Sequence, residues 1–174
     1  EKKFQPTEEQ LEALLKDSKF IKKVVNHDII YDYPDYRFIK KDIRLRARNG
    51  KLELKVSDES ENEVGNEGSN VSLEMDDEEE IKKHLNIEGS LSEFIKNNLI
   101  EAINLKTTRE KYTKDDFIID VDDLDFGFNC VEIELLVQDK SEVSSAYARI
   151  IELAENYKFN MKKVSPKKKE YFRA

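Results

Sequence analysis

The stretch Asp42-Ile-Arg-Leu-Arg-Ala-Arg48, Asn49-Gly50, Lys51-Leu-Glu-Leu-Lys-Val56 decides how the chain is read. Side chains alternate between the two faces of a strand. Arg44, Arg46 and Arg48 therefore share one face, and Ile43, Leu45 and Ala47 share the other. Past the turn, Glu53 and Lys55 stand opposite Leu52, Leu54 and Val56. Two alternating runs joined by Asn-Gly are the strongest short-range hairpin signal, because Asn and Gly tolerate the positive φ of the tight turn. Each strand of this hairpin has one apolar face and one face of full charges.

The pattern returns later in the chain. Asp120 and Asp122 lie opposite Ile119 and Val121, and Glu132 and Glu134 lie opposite Val131, Ile133 and Leu135. The charges are sorted by strand: one is all arginine, and two others carry paired carboxylates. Of the 174 residues 39% are charged and 38% are apolar. With so many charges, where they go is the question that fixes the fold. Alternation alone fits two arrangements. One is an open sheet whose charged side faces water. The other is a sheet closed into a barrel, with charged faces lining the lumen and helices packed outside. Sorting by sign favours the barrel, since solvated faces usually intersperse the signs, and the apolar strand faces give amphipathic helices something to cover.

The rest of the chain supplies those helices. Thr7 and Gln10 suit a capping box ahead of Leu11, Leu14 and Leu15, which predicts a helix over 7–17. Residues 20–31 are β-rich, and 71–75 reads as a short strand. Helices are expected over 76–85 and 90–99, then strands over about 100–109, 113–122 and 127–137. A longer helix is expected over 141–157, with Val143, Tyr147, Ile150, Ile151 and Ala154 on one face, and a short basic one over 166–173. Residues 57–70 are acidic and polar and read as a mobile loop. The expectation is one α+β domain over residues 1–174. It begins at Glu1 without Met, so its first strand reads as trimmed.

Composition excludes several functions. No run of about 18 apolar residues could span a membrane. A net charge of −8 makes a poor non-specific nucleic-acid binder. One cysteine, Cys130, supports neither a disulfide framework nor a zinc cluster, and it reads as a buried small side chain. There is no Gly-rich phosphate loop, and His27 and His84 suit no nucleophilic triad. What remains is arginine beside clustered carboxylate. Arginine forks grip phosphate oxygens, and Asp and Glu bind hard divalent cations such as Mg²⁺. Together they neutralise a polyphosphate and stabilise charge developing in phosphoryl transfer.

These segments resemble the CYTH superfamily, the triphosphate tunnel metalloenzymes, and within it the thiamine-triphosphatase-like branch. Glu1-Lys-Lys3-Phe4 looks like the second half of the Glu-x-Glu-x-Lys strand. Tyr31-Asp-Tyr-Pro34 resembles the Tyr-Asp-Thr-Pro segment, with Tyr33 in place of Thr. Leu45-Arg-Ala-Arg48 and Leu52-Glu-Leu-Lys55 match the next two strands, and Leu73-Glu74 falls where an acidic residue is expected. Thr108-Arg109 matches the arginine strand. Asp120-Val-Asp122 with Asp125-Phe-Gly-Phe128, and then Glu132-Ile-Glu134, complete the order.

The resemblance implies an eight-stranded antiparallel barrel, closed as a tunnel around the triphosphate. It implies phosphate binding by Lys3, Arg46, Arg48, Lys55, Arg109 and a tail lysine among 167–169, with Lys168 favoured. Lys3, Lys55 and Arg109 would be the catalytic ones. Metal ligands would be Glu1, Glu74, Asp120, Glu132 and Glu134, holding Mg²⁺ or Mn²⁺. Asp122 and Asp125 are left open between turn and site, and Arg44 reads as a rim residue. The implied activity is hydrolysis of the terminal phosphate of thiamine triphosphate. Inorganic tripolyphosphatase, a non-catalytic polyphosphate-binding module and an adenylate-cyclase-type lyase are the alternatives. The expected partner is a small-molecule triphosphate, with no nucleic acid and no membrane. A cytoplasmic monomer is expected, since no leader is visible in this stretch and there is one cysteine.

Overall fold

A computed structural model describes residues 1–57 and 72–174. The strands are β1 (Lys2–Phe4), β2 (Lys19–Asp32), β3 (Ile43–Arg48), β4 (Lys51–Ser57), β5 (Ser72–Met75), β6 (Ile100–Lys114), β7 (Phe117–Leu124) and β8 (Asn129–Glu134). The helices are α1 (Glu8–Lys16), α2 (Arg37–Lys40), α3 (Glu78–Leu85), α4 (Leu91–Asn98), α5 (Val143–Asn156) and α6 (Lys167–Tyr171). The acidic stretch expected as a mobile loop lies outside the described residues, Ser57 excepted.

The local signals act as their chemistry requires. The Thr7 hydroxyl accepts from the Gln10 backbone N–H, and the Gln10 side chain accepts in return from the Thr7 N–H. Asn49 (φ 50°) and Gly50 (φ 85°) turn β3 into β4. One boundary differs from expectation. The strands expected over 100–109 and 113–122 are instead a continuous β6 to Lys114 and then β7 from Phe117. The turn falls at Asp115-Asp116, with Asp115 left-handed at φ 52°. No Gly or Pro marks it; Asp reaches that region because its short polar side chain bonds locally.

All eight strands join one antiparallel sheet in the order β1-β8-β7-β6-β2-β3-β4-β5. Its two ends are β1, three residues long, and β5, four residues long. The order does not return on itself, so the closed barrel expected from the sequence is not what the pairing shows. Alternation fixes which side chains share a face; whether two edges meet is set by strand length and twist, which it does not encode.

The chain packs as two compact units, the division falling within β2 and within β6. In the first unit, residues 1–25 and 107–174 of the described chain, the apolar face of β1, β7 and β8 carries Phe4, Phe117, Ile119, Val131 and Ile133. It is covered by Leu11, Leu14 and Leu15 of α1 and by Ile150, Leu153 and Ala154 of α5. In the second unit, residues 26–57 and 72–106 of the described chain, Leu45 and Leu54 of the β3–β4 hairpin pack with Ile81 of α3 and Leu91 of α4. Helices thus cover apolar strand faces in both units, as the alternation predicts.

The Tyr31-Asp-Tyr-Pro34 segment has a structural role in the second unit. Asp32 is fully buried and accepts three backbone hydrogen bonds, from Tyr33 (2.7 Å), Phe38 (2.9 Å) and Ile39 (2.8 Å). It thereby fixes the four-residue α2, whose N-cap, Tyr36, offers no side-chain bond. Asp32→Ala leaves those donors without an acceptor and is expected to cost about 3 kcal/mol. A melting-temperature drop of roughly 6–12 °C checks it; a drop under about 2 °C would show that solvent replaces the carboxylate.

Candidate functional site

In the first unit the charged strand faces meet in register. Lys3 of β1 stands opposite Glu132 of β8, Glu132 opposite Asp120 of β7, and Asp120 opposite Lys111 of β6. The next row runs Cys130, Asp122, Arg109. Directly opposed residues in an antiparallel pair share a face, so all seven side chains lie on the face turned away from α1 and α5.

Arg109 is the hub. Its Nε donates to Asp122 Oδ1 (2.7 Å) and its Nη2 to Asp122 Oδ2 (2.7 Å) and Glu132 Oε2 (2.8 Å). Its Nη1 donates to Asp120 Oδ2. Glu132 also meets Lys3 Nζ at 3.2 Å and Lys167 Nζ at 2.9 Å. Lys3 reaches Glu1 Oε1 at 3.0 Å, Lys111 reaches Asp120 Oδ1 at 3.1 Å, and Lys167 also donates to Asp122 Oδ2. Asp120 and Asp122 are almost wholly buried and Glu132 is 5% exposed. Charges this deep persist only when paired.

The electrostatics follow from that pairing. Burial alone would raise the Glu132 carboxyl, but Lys167, Lys3 and Arg109 outweigh it and hold it well below the usual carboxylate range. Burial would lower Lys3 and Lys167; the carboxylates they face outweigh it, and both are raised. Glu134 is different. Burial, and then the charges of Glu1, Asp120 and Glu132, push its carboxyl up. Burial pushes the Cys130 thiol up to about 12, so it stays protonated and is no nucleophile.

Among the described residues two groups of ligand atoms lie within 4.8 Å of one another: Glu1, Glu132 and Glu134, and Asp122, Cys130 and Glu132. Each group already holds an ammonium on two of its members, Lys3 on Glu1 and Glu132 in the first and Lys167 on Asp122 and Glu132 in the second. The first is all carboxylate oxygen, the donor set of a hard divalent cation. One observation fits it to one: burial and the charges of Glu1, Asp120 and Glu132 push the Glu134 carboxyl up, and a bound cation would relieve that. Together with the cations around them, four cationic and five acidic side chains leave one negative charge in excess. A bound divalent ion turns that into one positive charge.

This gives a pH prediction. A carboxyl with a raised pKa gives up ligand capacity earlier on acidification. Divalent-metal affinity is therefore expected to begin falling at a higher pH than an ordinary glutamate, near about 4.3, would allow. Without metal the same shift is a cost to the fold, complete above the raised value and relieved as pH drops through it. Titrating Mn²⁺ by calorimetry from pH 8 downward reads the first effect, and a Glu134→Gln variant should lose it. An affinity flat to pH 5 would contradict it.

The second unit carries a basic set. The Arg48 guanidinium grips Asp28 through Nε (2.7 Å) and Nη2 (2.7 Å). Arg46 meets Glu53 Oε2 through Nε (2.9 Å) and Nη2 (2.7 Å). Lys55 meets Glu74 Oε1 at 2.8 Å. Burial and the neighbouring Arg48 lower Arg46, with Asp28 and Glu53 only partly offsetting them. Burial is the larger cause and the Arg48 charge adds to it; a bound anion would offset both. Arg44 stands beside Lys55 in the register, on the same face.

The expected residues therefore divide. Lys3, Arg109, Asp120, Glu132, Glu134 and Glu1 come together in the first unit. Arg46, Arg48, Lys55 and Glu74 come together in the second, where Glu74 is on β5 and its side chain is 59% exposed. Of the tail lysines, Lys167 meets the carboxylates of Asp122 and Glu132. Asp122 lies within β7 and bonds Arg109 rather than forming a turn, and Lys111, which meets Asp120, was not among the expected residues. Alternation puts Asp122 on the face of Asp120, whereas Lys111 lies past the strand end expected at 109 and becomes visible only because β6 continues to Lys114. Asp28 and Glu53, which hold the arginines, are visible only through cross-strand register.

Comparison with known proteins bears on the family and the fold. The family model of the CYTH domain matches residues 1–167. No curated protein matches the chain. A solved protein of Pyrococcus horikoshii OT3 is 22% identical, with TM-score 0.64, over 91% of this chain and 89% of that one. A Vibrio parahaemolyticus protein described as a candidate adenylate cyclase is 14% identical, with TM-score 0.64, over 99% and 96%. A Hippeastrum protein, described as a candidate adenylyl cyclase that reveals a dominant triphosphatase activity, is 13% identical, with TM-score 0.59, over 98% and 92%. At these identities the likeness is one of fold. No helix among the described residues is long and apolar enough to cross a membrane.

Proposed function

The chain belongs to the CYTH domain family, and on that premise we propose that it is a divalent-metal-dependent triphosphatase. It removes the terminal phosphate of a small-molecule triphosphate, thiamine triphosphate in the finer reading. The observation that carries this is the buried face of the first unit. Cations fit for phosphate oxygens stand there beside a carboxylate group fit for a hard cation. The triphosphatase activity in the description of the Hippeastrum protein supports it.

Glu1, Glu132 and Glu134 would hold Mg²⁺ or Mn²⁺, with Asp120 beside them. When bound, the ion supplies charge neutralisation and polarises a phosphoryl oxygen. The chain's own cations do the rest. Arg109 offers a planar fork that closes on Asp120, Asp122 and Glu132, and it would exchange part of those contacts for phosphate oxygens once a cation takes up the carboxylates. Lys3 and Lys167 are kept charged by the acids they face and add two ammonium groups for phosphate oxygens. Water attacks the terminal phosphorus in line with the leaving diphosphate. Arg46, Arg48 and Lys55 of the second unit are taken as further phosphate-binding cations, and Lys167 as the contributing lysine of the tail. The enzyme is taken as a cytoplasmic monomer with no nucleic-acid or membrane partner.

The test is phosphate release from thiamine triphosphate, tripolyphosphate and ATP with Mg²⁺ and with chelator, while cyclic AMP is assayed in parallel. Release from thiamine triphosphate or tripolyphosphate, lost with chelator and lowered roughly a hundredfold by Arg46→Ala, is expected. Cyclic AMP as the main product would make the chain a lyase. Tight tripolyphosphate binding without turnover would make it a binding module.

A further inference from the structure

We propose that Phe126, acting through Tyr171, positions Lys167 in the carboxylate site, so that the turn between β7 and β8 is the dock of the C-terminal helix. The proposal rests on the phosphate-site reading for its consequence, but not for its geometry.

Lys167 is the first residue of α6, which has five residues, no side-chain cap and no buried residue. A helix this short does not hold itself together in water. Yet its first side chain is only 20% exposed and bonds Asp122 and Glu132. Ordering a lysine side chain costs rotamer freedom, so something must fix the segment that carries it.

That contact is at the other end of the helix. Tyr171 is four residues on from Lys167, on the same side of the helix. Its ring meets Phe126 edge to face, centroids 5.7 Å apart and planes at 86°. Phe126 in turn lies parallel to Phe128, at 6.3 Å and 8°. The two phenylalanines flank Gly127, whose φ of 85° suits glycine. The turn is pinned by Gly127 N–H to the Leu124 carbonyl (2.9 Å) and Leu124 N–H to the Phe128 carbonyl (3.0 Å). Asp122 lies just before this turn and Cys130 just after it, on the site face. One hairpin therefore holds both the receptor of Lys167 and the dock of Tyr171, and the helix spans it like a clasp. Phe126 and Tyr171 touch no reacting atom in this arrangement; they are positioning residues.

Competitive acylation of lysines on the full chain, read by mass spectrometry, tests the dock directly. Wild-type Lys167 should be protected. Phe126→Ala and Tyr171→Ala should each raise its labelling roughly threefold to tenfold, the scale of one aromatic pair. Lys3 and Lys111, on the same face but not on the helix, should not change, and Tyr171→Phe should restore protection. Tripolyphosphate kcat/KM in Phe126→Ala should fall part of the way to that of Lys167→Ala, and the double variant should match Lys167→Ala alone, because Phe126 acts through that group. Unchanged Lys167 labelling in both alanine variants would overturn the dock, as would kinetic defects that multiply. If Phe126→Ala also exposes Lys3, it has disturbed the sheet, and Tyr171→Ala, on the tail alone, decides. A wild type that labels as expected but hydrolyses nothing would refute the functional reading and leave the dock standing.

Discussion

Arg109→Ala is expected to lower stability by roughly 3–5 kcal/mol and to abolish triphosphate hydrolysis. In a chain of this size that corresponds to a melting-temperature drop of roughly 6–20 °C. The substitution leaves buried charge behind. Asp120, Asp122 and Glu132 are each 5% exposed or less, and Arg109 bonds all three. Without it, Lys3, Lys111 and Lys167 remain, too few for the five acids of the face. The loss should therefore depend on pH. Unpaired carboxylates in the folded variant have raised pKa values, and protonation relieves them, so the deficit against wild type should shrink between about pH 7.5 and 5. Calorimetric melting at both values, with wild type alongside, reads it. A deficit that is equal at the two values would mean that lost packing, rather than charge, is responsible. Arg109→Lys should fall between, since it restores a charge but not the fork.

Glu132→Gln is the second large effect, and here the activity carries it. Glu132 belongs to both groups of candidate ligands and accepts from Arg109 (2.8 Å) while facing Lys3 and Lys167. Glutamine keeps the size and removes the charge. Metal affinity should fall roughly 10- to 100-fold and kcat/KM by roughly a hundredfold to a thousandfold. Stability should fall as well, with a defined sign. A carboxyl held below its ordinary value contributes stability that is full above the unfolded pKa, near about 4.3. That contribution disappears as pH falls through the folded value. The wild type should therefore exceed the variant at pH 7 and lose its advantage on acidification below about pH 4. Equal melting temperatures at pH 7 would contradict the pairing seen around Glu132.

Much of this site is legible before any coordinates, and the reasons are particular. Asn49-Gly50 fixes a two-residue turn, and a fixed turn fixes the register, so the faces of Arg46, Arg48, Glu53 and Lys55 follow at once. Glu132 and Glu134 are legible because Val131, Ile133 and Leu135 alternate with them. Asp115-Asp116 turns the chain without Gly or Pro, and the boundary between β6 and β7 slips for that reason. With the boundary misplaced, the opposition of Arg109 to Asp122 and of Lys111 to Asp120 cannot be derived. Lys167, Lys168 and Lys169 are equivalent in composition. Which one enters the site is set by the phase of a one-turn helix and by the contact of Tyr171 with Phe126, four residues and many bonds away. Whether the sheet closes is another such case, since no residue pattern along a strand reports on the partner of an edge.

The most direct measurement is anomalous diffraction from crystals grown with Mn²⁺ and tripolyphosphate. The account predicts a manganese peak coordinated by Glu132 and Glu134, with phosphate oxygens in hydrogen-bond contact with Arg109 and Lys3. A manganese and polyphosphate pair bound on any other surface, with Arg109 still closed on Asp120, Asp122 and Glu132, would contradict it.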